Sequence, residues 1–403
     1  MNIFLARQPI FDRRQEVFGY ELLYRSGWEN FCQQPDGDLA TMEVIRHSLL
    51  IVGAEQVTHG RPFINFTRHL LLNGTAHYLP KDLAVLEILE DVGVDPQIVK
   101  ACRQLKDNGY LLALDDFIWP EYEHHPLTEL ADFIKVDFQK NTDAAKQCIV
   151  ARFANQPVKL IAEKTETRRQ FQQALELGFP YFQGYFFSEP EIVSRQDIKG
   201  RRLAYLGLLR ELSRKTLDFI ALEKVIQRDT SISYKLLKYL NSAFFGWRHE
   251  ITSIRHGLQL LGEVEIRKWA ALVTLMELSR GKPPELLRLS LLRARFSEAL
   301  AVKANLASHK AELFLLGMFS LMDVLIGRPL AELLEDLPLT DIVKDALLGK
   351  KNLYRQLFDL GLSYETGDWP QVAHLAQQLG IPEQSLPELY AEAIRWVESP
   401  FWF

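Results

Sequence analysis

Eight residues in the first half of the chain share one setting. Glu21 follows Val17-Phe18-Gly19-Tyr20, Asn65 follows Pro62-Phe63-Ile64, and Glu87 follows Val85-Leu86. Asp115 and Asp116 follow Leu111-Leu112-Ala113-Leu114, and Glu163 follows Leu160-Ile161-Ala162. Lys135 and Gln183 sit inside the apolar runs Phe133-Ile134-Lys135-Val136-Asp137 and Tyr181-Phe182-Gln183-Gly184. Carboxylates brought together in this number repel one another unless cations neutralise them. Oxygen donors without cysteine or histidine suit hard ions, Mg²⁺, Mn²⁺ or Ca²⁺, rather than zinc. Two such ions about 3.5–4 Å apart, bridged by one of the paired aspartates, would activate water for in-line attack on a phosphodiester. A lysine among the acids would orient that water or steady charge on the phosphoryl oxygens. Taken singly, each residue reads as a helix cap, a turn or a salt-bridge partner. Jointly that reading needs the same coincidence on strand after strand.

The elements that must position these groups alternate. Strand candidates are Ile3–Ile10, Val17–Leu23, Pro62–Phe66, Ala84–Leu89, Leu111–Phe117, Phe133–Phe138, Lys159–Lys164 and Tyr181–Phe187. Helical periodicity fills Leu39–Val52, Asp95–Asn108, Ala144–Asn155 and Thr167–Leu177. Strand–helix–strand repeats of this size predict a parallel α/β sheet, and seven or eight of them favour a closed (β/α)8 TIM-like barrel. In such a barrel the strand ends converge on one rim, where active sites form. No G-x-G-x-x-G or G-x-x-x-x-G-K-[ST] follows any strand, which weakens nucleotide-cradling alternatives.

The pattern changes near residue 196. Ile232, Leu236, Leu237 and Leu240 fall on one helical face, and similar stripes run through Glu263–Ser279, Glu285–Leu306, Glu312–Ile326 and Pro382–Val397. Breaks are expected at Gly246, Gly262, Gly281-Lys282-Pro283-Pro284, Gly327-Arg328-Pro329 and Gly367-Asp368-Trp369-Pro370. The expected organisation is therefore an α/β domain over 1–195 and an all-α domain over 196–403.

Bulk properties narrow the function. The 403 residues carry 47 basic and 52 acidic side chains, a net charge of −5, which argues against a chain that coats nucleic acid. The three cysteines are widely spaced with no C-x-x-C, against a zinc ribbon or redox pair. The first seven residues lack a charged leader with an apolar core, and the longest apolar stretch, Leu313–Met322, is far below the ~20 residues that span a bilayer. A cytoplasmic protein without membrane insertion is expected.

The ordered motifs resemble the EAL family of cyclic-di-GMP phosphodiesterases. Gln8-Pro9-Ile10 matches its opening strand, and Glu21-Leu22-Leu23-Tyr24-Arg25 its Glu-Ala-Leu-Leu-Arg signature. Phe63-Ile64-Asn65-Phe66, Leu86-Glu87-Ile88-Leu89-Glu90, Ala113-Leu114-Asp115-Asp116-Phe117 and Ile134-Lys135-Val136-Asp137 follow in family order. Ile161-Ala162-Glu163-Lys164-Thr165-Glu166-Thr167 corresponds to Ala-Glu-Gly-Val-Glu-Thr, and Gln183-Gly184-Tyr185-Phe186-Phe187-Ser188-Glu189-Pro190 to the last strand. The resemblance implies that Glu21, Asn65, Glu87, Asp115, Asp116 and Glu163 hold two Mg²⁺ or Mn²⁺ ions. It further implies catalytic roles for Lys135, Glu163 and Gln183, contact of Arg25 and Gln183 with cyclic di-GMP, and supporting roles behind the ligands for Glu90 and Glu166.

There are departures. The family's Gly-Thr-Gly-Tyr-Ser-Ser loop is replaced by Ile118-Trp119-Pro120-Glu121-Tyr122-Glu123-His124-His125-Pro126, Lys164 stands at a glycine position, and Leu22 at the signature alanine. An intact ligand set on a remodelled support can lose orders of magnitude in rate. His124 and His125 are read as exposed loop residues. Leu222 to Gly262 resembles an HDOD domain, a relative of the HD phosphohydrolases. No histidine of the chain is followed by aspartate, so catalysis is not expected there. The tandem resembles the YuxH-like bacterial signalling proteins. Two functions remain open: hydrolysis of cyclic di-GMP to the linear dinucleotide, or a catalytically silent receptor or scaffold. In either case the HDOD half would engage a protein partner; a homodimer is allowed, and the sequence leaves the oligomeric state open.

Overall fold

The computed structural model describes residues 3–26, 60–79, 81, 84–119, 125–186, 208, 218–241, 251–335, 337 and 339–398. The expected helix Leu39–Val52, the break at Gly246, and His124 lie outside them. The chain divides into two compact units, one of residues 1–189 with 363–374 and 383–391, the other of 190–362 with 375–382 and 392–403.

In the first unit, eight strands close into a barrel in chain order: β1 (Ile3–Asp12), β2 (Val17–Ser26), β3 (Arg61–Phe66), β4 (Val85–Ile88), β5 (Leu111–Phe117), β6 (Phe133–Asp137), β7 (Lys159–Glu163) and β8 (Tyr181–Gln183). The pairs from β2 to β8 are parallel, but β1 runs antiparallel to both β2 and β8. This departs from an all-parallel barrel for a steric reason. Parallel neighbours need a crossover of a dozen residues or more, and only 13–16 separate β1 from β2. There Asp12 closes the turn, its carboxylate accepting from the Arg14 and Glu16 N–H groups at 2.8 and 2.9 Å.

Among the described residues, the barrel's crossovers carry helices α1 (Arg68–Leu72), α2 (Pro96–Asp107), α3 (Asp143–Phe153) and α4 (Arg168–Leu177). Each of the last three starts on a side-chain cap, respectively Asp95, Thr142 and Thr167, the last in a reciprocal capping box with Gln170. Helices α2 and α4 stop just before Gly109 and at Gly178, both at positive φ. Ile98, Cys102 and Leu105, at helical spacing, bury one face of α2.

Inside the barrel, Ile10, Phe63, Val85, Ala113, Phe133 and Ile161 form one buried layer, with Phe18, Leu111 and Tyr181 packed against it. The aromatic rings meet edge to face or tilted, Phe63–Phe133 at 5.4 Å between centroids and Phe18–Tyr181 at 4.1 Å. This layer is the floor of the site. Asn65, Glu87, Asp115, Lys135, Glu163 and Gln183 each lie two residues beyond a floor residue or Tyr181, and alternate residues of a strand share a face.

Among the described residues, the second unit's elements are helical: α5 (Phe219–Gln227), α6 (Thr230–Leu240), α7 (Ile254–Leu278), α8 (Pro284–Lys303), α9 (Lys310–Phe319), α10 (Met322–Ile326), α11 (Leu330–Glu335) and α12 (Asp341–Leu347). Helices α13 (Leu353–Thr366), α14 (Trp369–Leu379) and α15 (Leu386–Val397) complete the chain's order and contribute to both units. Gly262 keeps its non-helical geometry (φ 71°, ψ 169°) as a kink within α7 rather than an end. The stripe Glu312–Ile326 is two helices, parted at Ser320-Leu321. Gly317 of α9 lies so close to α8 that a Cβ there would sit 2.4 Å from the Arg293 carbonyl.

Candidate active site

The barrel gathers the residues at the strand ends, with Lys135 at the centre of Glu21, Glu87, Asp115 and Glu163. Its buried ammonium ion-pairs with Glu21 at 2.8 Å, Asp115 at 2.9 Å and Glu163 at 3.6 Å, and with Glu87. Gln183 donates to Glu21 and, at 2.9 Å, to Gln8. Asn65 lies beside Glu87 in the β3–β4 register.

Two consecutive aspartates on a strand ordinarily face opposite ways. Here the register slips between β5 and β6: Leu114 pairs with Ile134, and Phe117 with Val136. The extra residue is a bulge, with Asp116 at φ 46°, and bulges re-aim side chains. As a result Asp115, Asp116 and Glu163 each offer a carboxylate oxygen within 4.8 Å of the others, a group able to hold a metal ion.

The electrostatics follow from burial. Burial first, then Glu21 nearby, raises the Glu87 pKa well above the usual carboxylate range, against the pull of Lys135. Glu163 is pushed up to about 8, again chiefly by burial and in part by Asp115 and Glu21, with Lys135 opposing. For Lys135, burial alone would lower the pKa, but Asp115, Glu163, Glu21 and Glu87 together hold it well above the ordinary value. Asp116 is the opposite case. Burial would raise its pKa, yet hydrogen bonds from Lys140 and Lys164 hold it below the ordinary value.

The two domains match known families in the same order. Residues 33–190 match the EAL domain and 204–332 the HDOD domain. The chain is 40% identical to the uncharacterized protein YuxH of Bacillus subtilis over 98% of both chains. It is 34% identical to the cyclic di-GMP phosphodiesterase CdgJ of Vibrio cholerae, over 98% of this chain and 92% of that one. The chain belongs to the EAL–HDOD family of YuxH and CdgJ. Among solved structures, a calcium and cyclic-di-GMP complex of Klebsiella pneumoniae BlrP1 is similar at 22% identity and a TM-score of 0.41, over 47% of this chain and 56% of that one.

In this EAL–HDOD chain some expected site residues stand apart. Glu90 and Glu166 are exposed, and the backbone N–H of Glu166 donates to Gln170 at 2.9 Å. Arg25 sits opposite Phe4 on β2, and its side chain lies outside the described residues. His125, expected on an exposed loop, is half-buried and lines a small cavity shared with Asp115 and Glu90, and burial lowers its pKa.

Other residues belong to the site although sequence reasoning did not assign them to it. Gln8 faces Glu21 across the β1–β2 register. Asp137 joins Asp116 through Lys164, which donates to Asp137 at 2.8 Å and also to Asp116, and Lys140 donates directly to Asp116 at 2.8 Å. Asn141 ties the ends of β5 and β6, donating to the Phe117 and Asp137 carbonyls at 2.8 Å and accepting from the Trp119 N–H at 2.9 Å. It does so where the family's glycine loop is missing. The available signals were Asp137 beside the lysine strand and a lysine at a glycine position.

Proposed function

We propose that the barrel is a divalent-metal-dependent phosphodiesterase that opens cyclic di-GMP to the linear dinucleotide. The observation that carries this reading is the convergence of Glu21, Glu87, Asp115 and Glu163 on Lys135 at one end of a closed barrel. Full-length similarity to a protein named as a cyclic di-GMP phosphodiesterase supports the substrate.

The donor set suits a hard cation. The ligands are oxygens, and the buried Oε2 atoms of Glu87 and Glu163 and Oε1 of Gln183 have no hydrogen-bond partner among the described residues. Glu21, Asn65, Glu87, Asp115 and Glu163 would hold Mg²⁺ or Mn²⁺. Such an ion supplies Lewis acidity to the phosphoryl group and lowers the pKa of water. Lys135 holds the acids in register and donates toward the phosphoryl oxygens, Gln183 fixes Glu21 and the attacking water, and Arg25 pairs with a substrate phosphate. The fit is poorer at Asp116, whose two carboxylate oxygens already accept from Lys164 and Lys140.

That engagement favours a second reading, a cytoplasmic receptor that binds cyclic di-GMP without turning it over. The HDOD half, lacking any His-Asp pair, serves in both readings as a docking domain for a protein partner or a second copy. The test is purified full-length protein with cyclic di-GMP and Mg²⁺ or Mn²⁺, following linear product chromatographically and binding by calorimetry. Turnover abolished by Glu21→Ala is the expected result. Binding without turnover establishes the receptor, and neither leaves a scaffold.

A further inference from the structure

Asp116 projects from a strained bulge toward Asp115 and Glu163, where a bridging aspartate between two metal ions would stand. Neither of its oxygens is open. Lys164 donates to Oδ1, and Lys140 donates to Oδ2 at 2.8 Å. Lys164 also donates to Asp137 Oδ2 at 2.8 Å, so its ammonium, on a partly exposed side chain, stands between two carboxylates. Its backbone is left-handed at φ 55°, a conformation free of strain for glycine and unfavourable for a side chain with a Cβ. The EAL motif has glycine at this position, so the lysine sits in a geometry made for a residue without a side chain.

We propose that Lys164, backed by Lys140, is a tethered cation that takes the place of a second divalent ion, so that each chain binds one divalent ion rather than two. This rests on reading the carboxylate cluster as a metal site. Two ammonium groups carry the charge of one divalent ion, and both sit on Asp116, one of the paired aspartates. Other oxygens of the cluster differ, because Glu87 Oε2 and Glu163 Oε2 lack hydrogen-bond partners among the described residues and can accept an ion. An ammonium balances charge and donates hydrogen bonds, but it has no coordination position for water. Water activation would then fall to the single ion, and Lys164 contributes charge and its one remaining N–H toward a substrate phosphate.

The experiment is a Mn²⁺ titration of the full-length chain, followed by calorimetry and by electron paramagnetic resonance. The wild type should bind one Mn²⁺ per chain, with the spectrum of an isolated ion. Lys164→Gly, which suits the local backbone, should bind two, with the exchange-coupled spectrum of an ion pair. Lys140→Ala/Lys164→Gly should do so with the second ion at least tenfold tighter than in the single variant. Two coupled ions in the wild type would overturn the inference and leave the phosphodiesterase reading standing. One ion in the wild type and in both variants would also overturn it, since Lys164 would not be what excludes the second. No Mn²⁺ on any of the three would remove the metal reading and the inference together.

Discussion

Lys135→Met removes the ammonium at the centre of the barrel and keeps the side-chain volume. Three of its four carboxylate partners lie 2.8, 2.9 and 3.6 Å away. At an effective dielectric of about 20, each such pair is worth roughly 5–6 kcal/mol before desolvation. The acids relieve part of the loss by taking up protons, so the net cost should be that of breaking one buried ion pair, about 3–5 kcal/mol. For a domain of this size that is a fall of roughly 6–20 °C in the barrel's unfolding midpoint. Scanning calorimetry in chelator at pH 8 reads it directly. The same variant at pH 5 should lose less, because Glu87 and Glu163, whose pKa values are raised, there hold protons and leave fewer bare charges behind. Added Mn²⁺ should restore the variant more than it raises the wild type. A midpoint change below about 2 °C at pH 8, or an equal loss at both pH values, would refute the claim that Lys135 is the counter-ion of the cluster.

Gly184→Ala should destabilise the barrel by at least about 2 kcal/mol in urea unfolding, since φ is 140° and a Cβ would stand 2.1 Å from the Thr165 carbonyl oxygen. Thr165 bonds the Gln183 carbonyl through both its N–H (3.0 Å) and its hydroxyl (2.9 Å), so the displacement would carry Gln183 with it. Gly317→Ala should cost about 1–3 kcal/mol, by overpacking α8 against α9, and should move the helical unit's transition. Mn²⁺ affinity should rise with pH through about 8 and level off only above it. The Glu163 carboxyl keeps its proton up to about pH 8 in the metal-free fold, and an ion binds only the ionised form. The raised pKa also means that this group's contribution to metal-free stability is greatest at acid pH and is lost as pH rises through about 8. Calorimetry in buffers of different ionisation enthalpy measures the released proton.

The barrel was legible because its sequence carries two periods at once. A floor residue followed two positions later by an acid, an amide or a lysine, as in Val85-Leu86-Glu87 and Ile161-Ala162-Glu163, states both strand and face. The antiparallel β1 was legible in principle from the short connection to Val17, but repeating α/β units suggested parallel pairing throughout. Helix α13 escaped because Arg355, Gln356, Asp359, Ser363 and Glu365 interrupt the eye, although Tyr354, Leu357, Phe358 and Tyr364 bury one face. The acids, the amides and Lys135 at the strand ends were readable strand by strand. The ammonium of Lys164 was not, since its partners Asp116 and Asp137 lie 48 and 27 residues away and meet it only through barrel closure.

Charge balance connects these parts. Six carboxylates, Glu21, Glu87, Asp115, Asp116, Asp137 and Glu163, face three ammonium groups, Lys135, Lys140 and Lys164. The lysines are not spread evenly. Two of them serve Asp116 and Asp137, whereas Lys135 alone serves four acids, and the Glu87 and Glu163 pKa values, raised chiefly by burial, are raised further by the neighbouring carboxylates. One divalent ion on the Lys135 side would cover most of what is missing. A second ion on the Asp116 side would meet a pair of acids that already have their counter-charges, and it would have to displace an ammonium held by two of them. The positions of the lysines therefore set where a cation is needed and where it is not, and they make the metal count of this barrel a property of Lys164 rather than of its acids alone.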